Sequence, residues 1–206
     1  MVTDFVNETS DALLSLYPNL HIQFGLHATS VKDKMKYLKN VDSRVEILWE
    51  DCGTFPYHYE PEVKTREAFE ETLKFTEEII NLREVNPIGL VYKGQMTMDW
   101  FKFINQCGPY VLGRESKEVI KNDYDMMKPI WRVFQAEWMQ YGEYAHEMTN
   151  KILELTGGNV NMNLAGTLSG GIWFPFAMTA QLFWDCTIPY KKMREMVLRR
   201  HCLEMA

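Results

Sequence analysis

Charged and aromatic side chains gather where three apolar runs of strand length end. His27 lies just past the first run, Glu50 and Asp51 directly follow Trp49 at the end of the second, and Lys93 ends the third. A carboxyl group can protonate a leaving group or accept a hydroxyl proton, and an imidazole can donate a hydrogen bond or carry a proton. We therefore predict a site in which Glu50 and Asp51 are the catalytic acids and His27, Trp49 and Lys93 bind substrate.

A second set of candidates lies on the segments that follow the second and third runs. These residues are Tyr57, His58, Tyr59, Asp99 and Trp100. The segment 54–63 contains two prolines and no regular period, which is typical of a long loop, and long loops often carry binding residues. Aromatic rings can stack on the C–H faces of sugars, and Asp99 can accept two hydroxyl hydrogen bonds. This set adds substrate-binding candidates to the predicted site.

Each candidate also has a structural alternative. Asp51 could cap backbone amides in a turn, and His27 could be bonded to the backbone inside the fold. Core packing is the commoner fate of a tryptophan, and Lys93 could hold Glu50 or Asp51 rather than a ligand. The sequence alone leaves these alternatives open.

The elements that would position these residues alternate between helix and strand. Strands are predicted near 20–26, 45–49 and 88–93, and helices over 3–16, from Ser30, and over 65–84. Such alternation is typical of parallel strands joined by right-handed crossovers. The fold class is therefore predicted as α/β, with a β/α segment over residues 1–113.

The second part of the chain, residues 114–206, is predicted to be an all-α region. A long helix should run from Pro129 to Leu155, followed by a turn-rich linker over 159–171 and helices over 172–185 and 189–204. Aromatic residues on the long helix recur every three or four positions and form one stripe: Trp131, Phe134, Trp138, Tyr141 and Tyr144. A stripe of this kind usually packs in a core or an interface.

Composition excludes several classes of protein. Over 206 residues the formal net charge is -6, so no basic nucleic-acid surface is expected, and no apolar run is long enough to span a membrane. The strand ends carry no phosphate-binding glycine loop. The four cysteines are widely spaced, which disfavours a zinc site and a disulfide framework. We therefore expect no metal and no cofactor, and a cytoplasmic location by default.

Three strand-end segments resemble the closing strands of a barrel-type glycoside hydrolase, in the hexosaminidase-like group around family 20. They are GLHATSV at 25–31, ILWEDCGTFPYHY at 47–59 and YKGQMTMDWFKF at 92–103. The resemblance covers residues 20–103 and implies the last three β/α units of a TIM-type barrel acting on a carbohydrate at the carboxyl ends of its strands. The family's catalytic Asp-Glu pair follows the fourth barrel strand, upstream of residue 1, so the resemblance assigns Glu50 and Asp51 no catalytic role.

Because a complete barrel needs about 250 residues, this interpretation also implies a partner. That partner would be a missing amino-terminal barrel half or another copy in a homo-oligomer. Two other functions stay open. One is a non-catalytic protein-interaction module that uses the aromatic helical half, and the other is an open α/β enzyme with a crevice where the strand order reverses.

Overall fold

A computed structural model describes residues 1–27, 31–50, 63–92, 132, 135–164 and 173–200. In its first half the elements are α1 (Val2–Leu16), β1 (Ile22–His27), α2 (Met35–Leu38), β2 (Val45–Glu50), α3 (Arg66–Ile80) and β3 (Ile88–Tyr92). In its second half they are α4 (Glu143–Thr156), β4 (Asn161–Leu164), α5 (Trp173–Trp184) and α6 (Tyr190–Arg200). A 3₁₀ turn over Lys32–Lys34 leads into α2.

The four strands form one parallel sheet in the order β1-β2-β3-β4. The α/β class and the three predicted strands are confirmed. The prediction of a linker over 159–171 is wrong for Asn161–Leu164, and the carboxyl-terminal region is therefore not all-α. In β4, Met162 packs partly buried against the core while Asn161 and Asn163 on either side of it are exposed, which is the alternation of a half-buried strand.

The two faces of this sheet differ in character. On one face Leu26, Ile47, Trp49 and Leu90 belong to the same buried cluster as apolar residues of α2 to α6. We call the other face the open face: Gln23, Gly25, His27, Glu46, Leu48, Gly89, Val91, Asn161 and Asn163. Five of these residues are exposed, whereas parallel sheets are normally covered on both faces.

Arg83 joins the amino-terminal ends of the two central strands. Its guanidinium donates to the carbonyl oxygens of Asp42 at 2.8 Å, Val45 at 2.9 Å and Pro87 at 3.3 Å, and its Nε donates to Asn86 at 2.8 Å. Partial burial lowers the pKa of Arg83 from its ordinary value. The planar fork of donors suits this role, because it satisfies several carbonyl groups at once.

Helix α1 is fixed to the segment before β2 by polar contacts. Asn7 donates to the carbonyl of Asn40 at 2.9 Å and accepts from the amide of Asp42 at 2.8 Å. Arg44 bridges Asp11 of α1, at 3.0 Å, and Asp42, at 2.6 Å. These contacts fix α1 to the segment that leads into β2.

The last two helices are joined to α4 and to the residues just before it. The Tyr190 hydroxyl of α6 donates to the carbonyl of Trp138 at 2.6 Å, and burial raises its pKa to about 12. His146 of α4 contacts the carbonyl of Ile188, in the turn between α5 and α6, at 2.8 Å. These contacts fix α6 and the turn before it to α4 and to Trp138.

Candidate functional site

One row of the sheet brings together two of the predicted site positions. His27 is the register partner of Glu50, Glu50 of Val91, and Val91 of Asn163. This row lies at the carboxyl ends of the strands, and His27 and Asn163 are exposed on the open face. Position 27, position 50 and the amide of Asn163 therefore share one edge of the sheet, as the strand-end pattern predicts for the first two.

The structure places Trp49 in the core rather than at a surface. Its side chain is 1% exposed, and its ring meets that of Phe75 edge-on, with the centroids 5.1 Å apart. Trp49 is therefore a core residue, the structural alternative to substrate binding, because a buried ring presents no face on which a sugar could stack. The physical reason is strand alternation, which turns Trp49 to the helix-covered face with Leu26 and Leu90.

The remaining predicted site residues lie outside the described residues. They are Asp51, Tyr57, His58, Tyr59, Lys93, Asp99 and Trp100.

Sequence reasoning missed a buried carboxylate on the open face. Glu46 is 3% exposed, and three side chains contact its two carboxylate oxygens. These side chains come from both sides of β2 in the sheet. Gln23 of β1 donates to Oε1 at 2.9 Å, Asn161 of β4 donates to Oε2 at 2.5 Å, and His21 Nε2 lies 2.8 Å from Oε2. One carboxylate therefore connects β1, β2 and β4.

Gly89 makes this arrangement sterically feasible. A Cβ atom at position 89 would lie 2.4 Å from Glu46 Oε1 and 2.6 Å from Leu48 Cδ1, both far inside van der Waals contact. Glycine on β3 thus leaves the space through which the Glu46 side chain reaches Asn161 on β4. The signal in the sequence was an acid between Val45 and Ile47 inside an apolar strand.

Glu46 is distinct from the strand-end row. It lies four positions before residue 50 in β2, which corresponds to about 13 Å along a strand. Because its oxygens are already occupied by three side chains, we assign Glu46 a positioning role: it holds the four strands in register below the row of His27 and Asn163.

The described part of the aromatic stripe packs inside the chain. Trp138 is 1% exposed, and Tyr144 stacks on Phe69 of α3 with the ring centroids 5.4 Å apart. Arg66 lies over both of the stacked rings. These residues join α3 to α4 and leave no broad apolar surface on α4.

The described ranges of the chain contain neither a metal-binding cluster nor a membrane-spanning helix. No group of three or more His, Cys, Asp or Glu side chains could hold a metal ion, and no helix combines the length and apolar character needed to cross a bilayer. Comparison with known proteins found no matching family model, no matching curated protein and no matching solved structure.

Proposed function

We propose that this chain is a carbohydrate-active, glycoside hydrolase-like protein that binds a glycoside at the carboxyl ends of its parallel strands. The observation that carries the proposal is the register row of positions 27, 50, 91 and 163 at the carboxyl ends of the parallel strands, with His27 and Asn163 exposed on the open face. In barrel enzymes this end of the strands holds the ligand.

The strand order supports a barrel-like segment over an open α/β enzyme. In an open doubly wound sheet the order reverses, helices cover both faces, and the ligand binds where the reversal occurs. Here the order β1-β2-β3-β4 runs without reversal, and helices α2 to α6 share a core with one face. The described strands therefore form no switch point, and the barrel alternative accounts for the exposed polar face.

The chemistry of the row suits hydroxyl groups. A neutral imidazole and a carboxamide each offer both a donor and an acceptor, which is what a sugar hydroxyl requires. In the proposed reaction a carboxyl group of the Glu50–Asp51 pair donates its proton to the glycosidic oxygen as the bond to the anomeric carbon breaks. Water then adds to that carbon and returns a proton to a carboxylate.

The test measures binding and hydrolysis with defined probes. We expect 4-nitrophenyl N-acetyl-β-glucosaminide, or another member of a panel of 4-nitrophenyl glycosides, to be bound in saturation-transfer NMR and released as nitrophenol. His27→Ala and Asn163→Ala should each weaken binding about tenfold, because each removes a hydrogen bond to the ligand. Glu50→Gln should abolish release while binding persists.

The matched control is His21→Gln, which changes the histidine that directly precedes the same strand. It should leave the affinity unchanged, because His21 contacts Glu46 and lies far from the row. Absence of binding for every glycoside in the panel, or equal losses in His21→Gln and His27→Ala, would refute the proposal.

A further inference from the structure

Helix α1 carries an apolar stripe that nothing in the described chain covers. Val2, Phe5 and Leu16 fall on one side of the helix, and Phe5 and Leu16 are 68% and 72% exposed. The helix is also acidic, with three aspartate or glutamate residues and no lysine or arginine. Amphipathic helices normally bury such a stripe, so α1 presents a surface suited to a partner.

A second exposed apolar surface lies between α5 and α6. Phe176 and Trp184 lie on one side of α5, Trp184 is 87% exposed, and both line a groove of about 700 Å³ between α5 and α6. Helix α6 is basic, with five lysine or arginine residues and one glutamate, and the charged residues that line the groove are Arg200 and Asp185. The groove thus offers apolar walls with positive charge nearby, where α1 offers an apolar stripe with negative charge.

The sheet also has two outer edges, β1, which follows α1 in the chain, and β4, which precedes α5. β1 pairs only with β2, and β4 pairs only with β3, so each presents an outer edge among the described strands. All four strands point the same way. An edge of the β4 type can therefore accept an edge of the β1 type from another sheet in parallel orientation, and such open edges commonly recruit another chain.

We propose that the occupant of both surfaces is a second copy of this chain. Helix α1 of one copy lies in the α5–α6 groove of the other, and β1 of the first lies beside β4 of the second. Two such contacts related by a twofold axis close a ring of eight parallel strands, the number found in a closed β/α barrel. The row of His27 and Asn163 from each copy would then face one shared interior, so the second copy completes the strand-end site.

The experiment measures oligomeric state by light scattering and sedimentation. Wild-type chain should have twice the mass of one copy. Two variants should each raise the dimer dissociation constant about 30-fold or more. Phe5→Lys places a cation against basic α6, and Trp184→Glu places an acid against acidic α1. Val85→Lys is the control, because Val85 is an equally exposed apolar residue on neither surface.

Mixing the two variants separates this arrangement from other dimers. A Phe5→Lys copy and a Trp184→Glu copy together retain one contact that is wild type on both sides, so the mixture should recover dimers that neither variant forms alone. A monomeric wild type overturns the proposal. A dimer lost in Phe5→Lys but kept in Trp184→Glu also overturns it, since α1 would then meet α1. These measurements do not use a ligand, so they stand apart from the test of sugar binding.

Discussion

At the scale of single residues, the least expected feature is the carboxylate of Glu46. A charged group inside a sheet is costly unless hydrogen bonds satisfy it, and here Gln23, Asn161 and His21 do so. The space for this network depends on the missing side chain of Gly89. The network therefore fixes the relative positions of β1, β2 and β4.

Removing this carboxylate should destabilise the chain strongly. We expect Glu46→Ala to lower the free energy of unfolding by about 2–4 kcal/mol, because it leaves the amides of Gln23 and Asn161 without their acceptor in a confined site. Urea titration followed by circular dichroism measures the change. Glu78→Ala, at an exposed position on α3, should stay within about 0.5 kcal/mol of wild type. A similar small loss for Glu46→Ala would show that water can replace the carboxylate.

The same residues show what a sequence reveals at this scale. His27 and Glu50 were predicted to meet because both follow apolar strands, and parallel pairing makes them register partners. The alternation of side chains along the strands exposes His27 and buries Trp49. The position of Trp49 next to Glu50 in the sequence could not show that it is buried. Glu46 was missed because its partners lie 23 and 115 positions away in the chain.

At the scale of elements, strands with continuous apolar runs were predicted and the strand with alternating polar residues was not. β1, β2 and β3 follow the predicted runs closely, whereas β4 follows two glycines and contains Asn161 and Asn163. Asparagine is depleted in strands, so the segment resembled a turn. Its period of two, with Val160 and Met162 alternating with the asparagines, was the available signal, because it matches a strand with one covered face.

The attachment of α1 gives a prediction about acid stability. Hydrogen bonds from Arg44 lower the pKa of Asp42 to about 2, so the folded state holds this group ionised where an unfolded chain would protonate it. The stabilisation is therefore complete above about pH 4 and is lost as the pH falls toward 2. Because the pair is partly exposed, solvent screening keeps its contribution to stability small.

Asp42→Asn should consequently flatten the pH dependence of unfolding in this window. Urea midpoints measured between about pH 5 and pH 2.5 should converge for wild type and variant as the pH falls. Arg44→Gln removes the same interaction by changing its other partner. The free energy of unfolding of the double variant should therefore fall by no more than that of Asp42→Asn alone. Additive losses would show that Arg44 acts through Asp11 instead.

At the scale of the whole molecule, the fold is a layer of helices on one face of a four-stranded parallel sheet. Its two ends are unlike in the elements that adjoin them in the chain: acidic α1 leads into the β1 edge, and α5 and basic α6 follow the β4 edge. Unlike ends that fit each other lead either to a closed ring or to an open chain. Alternating elements in the sequence predicted the parallel sheet, but the match between its ends depends on side chains that only the packed helices expose.

Amide hydrogen exchange tests this view of the molecule strand by strand. In a single copy the central strands β2 and β3 are paired on both sides and should exchange slowest, while β1 and β4 should exchange faster. If the two ends join between copies, protection of β1 and β4 should rise with protein concentration while that of β2 and β3 stays constant. Trp184→Glu should remove the concentration dependence at both edges, because β1 and β4 meet only across the contact it breaks. Edge protection that is the same at every concentration would mean that these strands are covered within one chain.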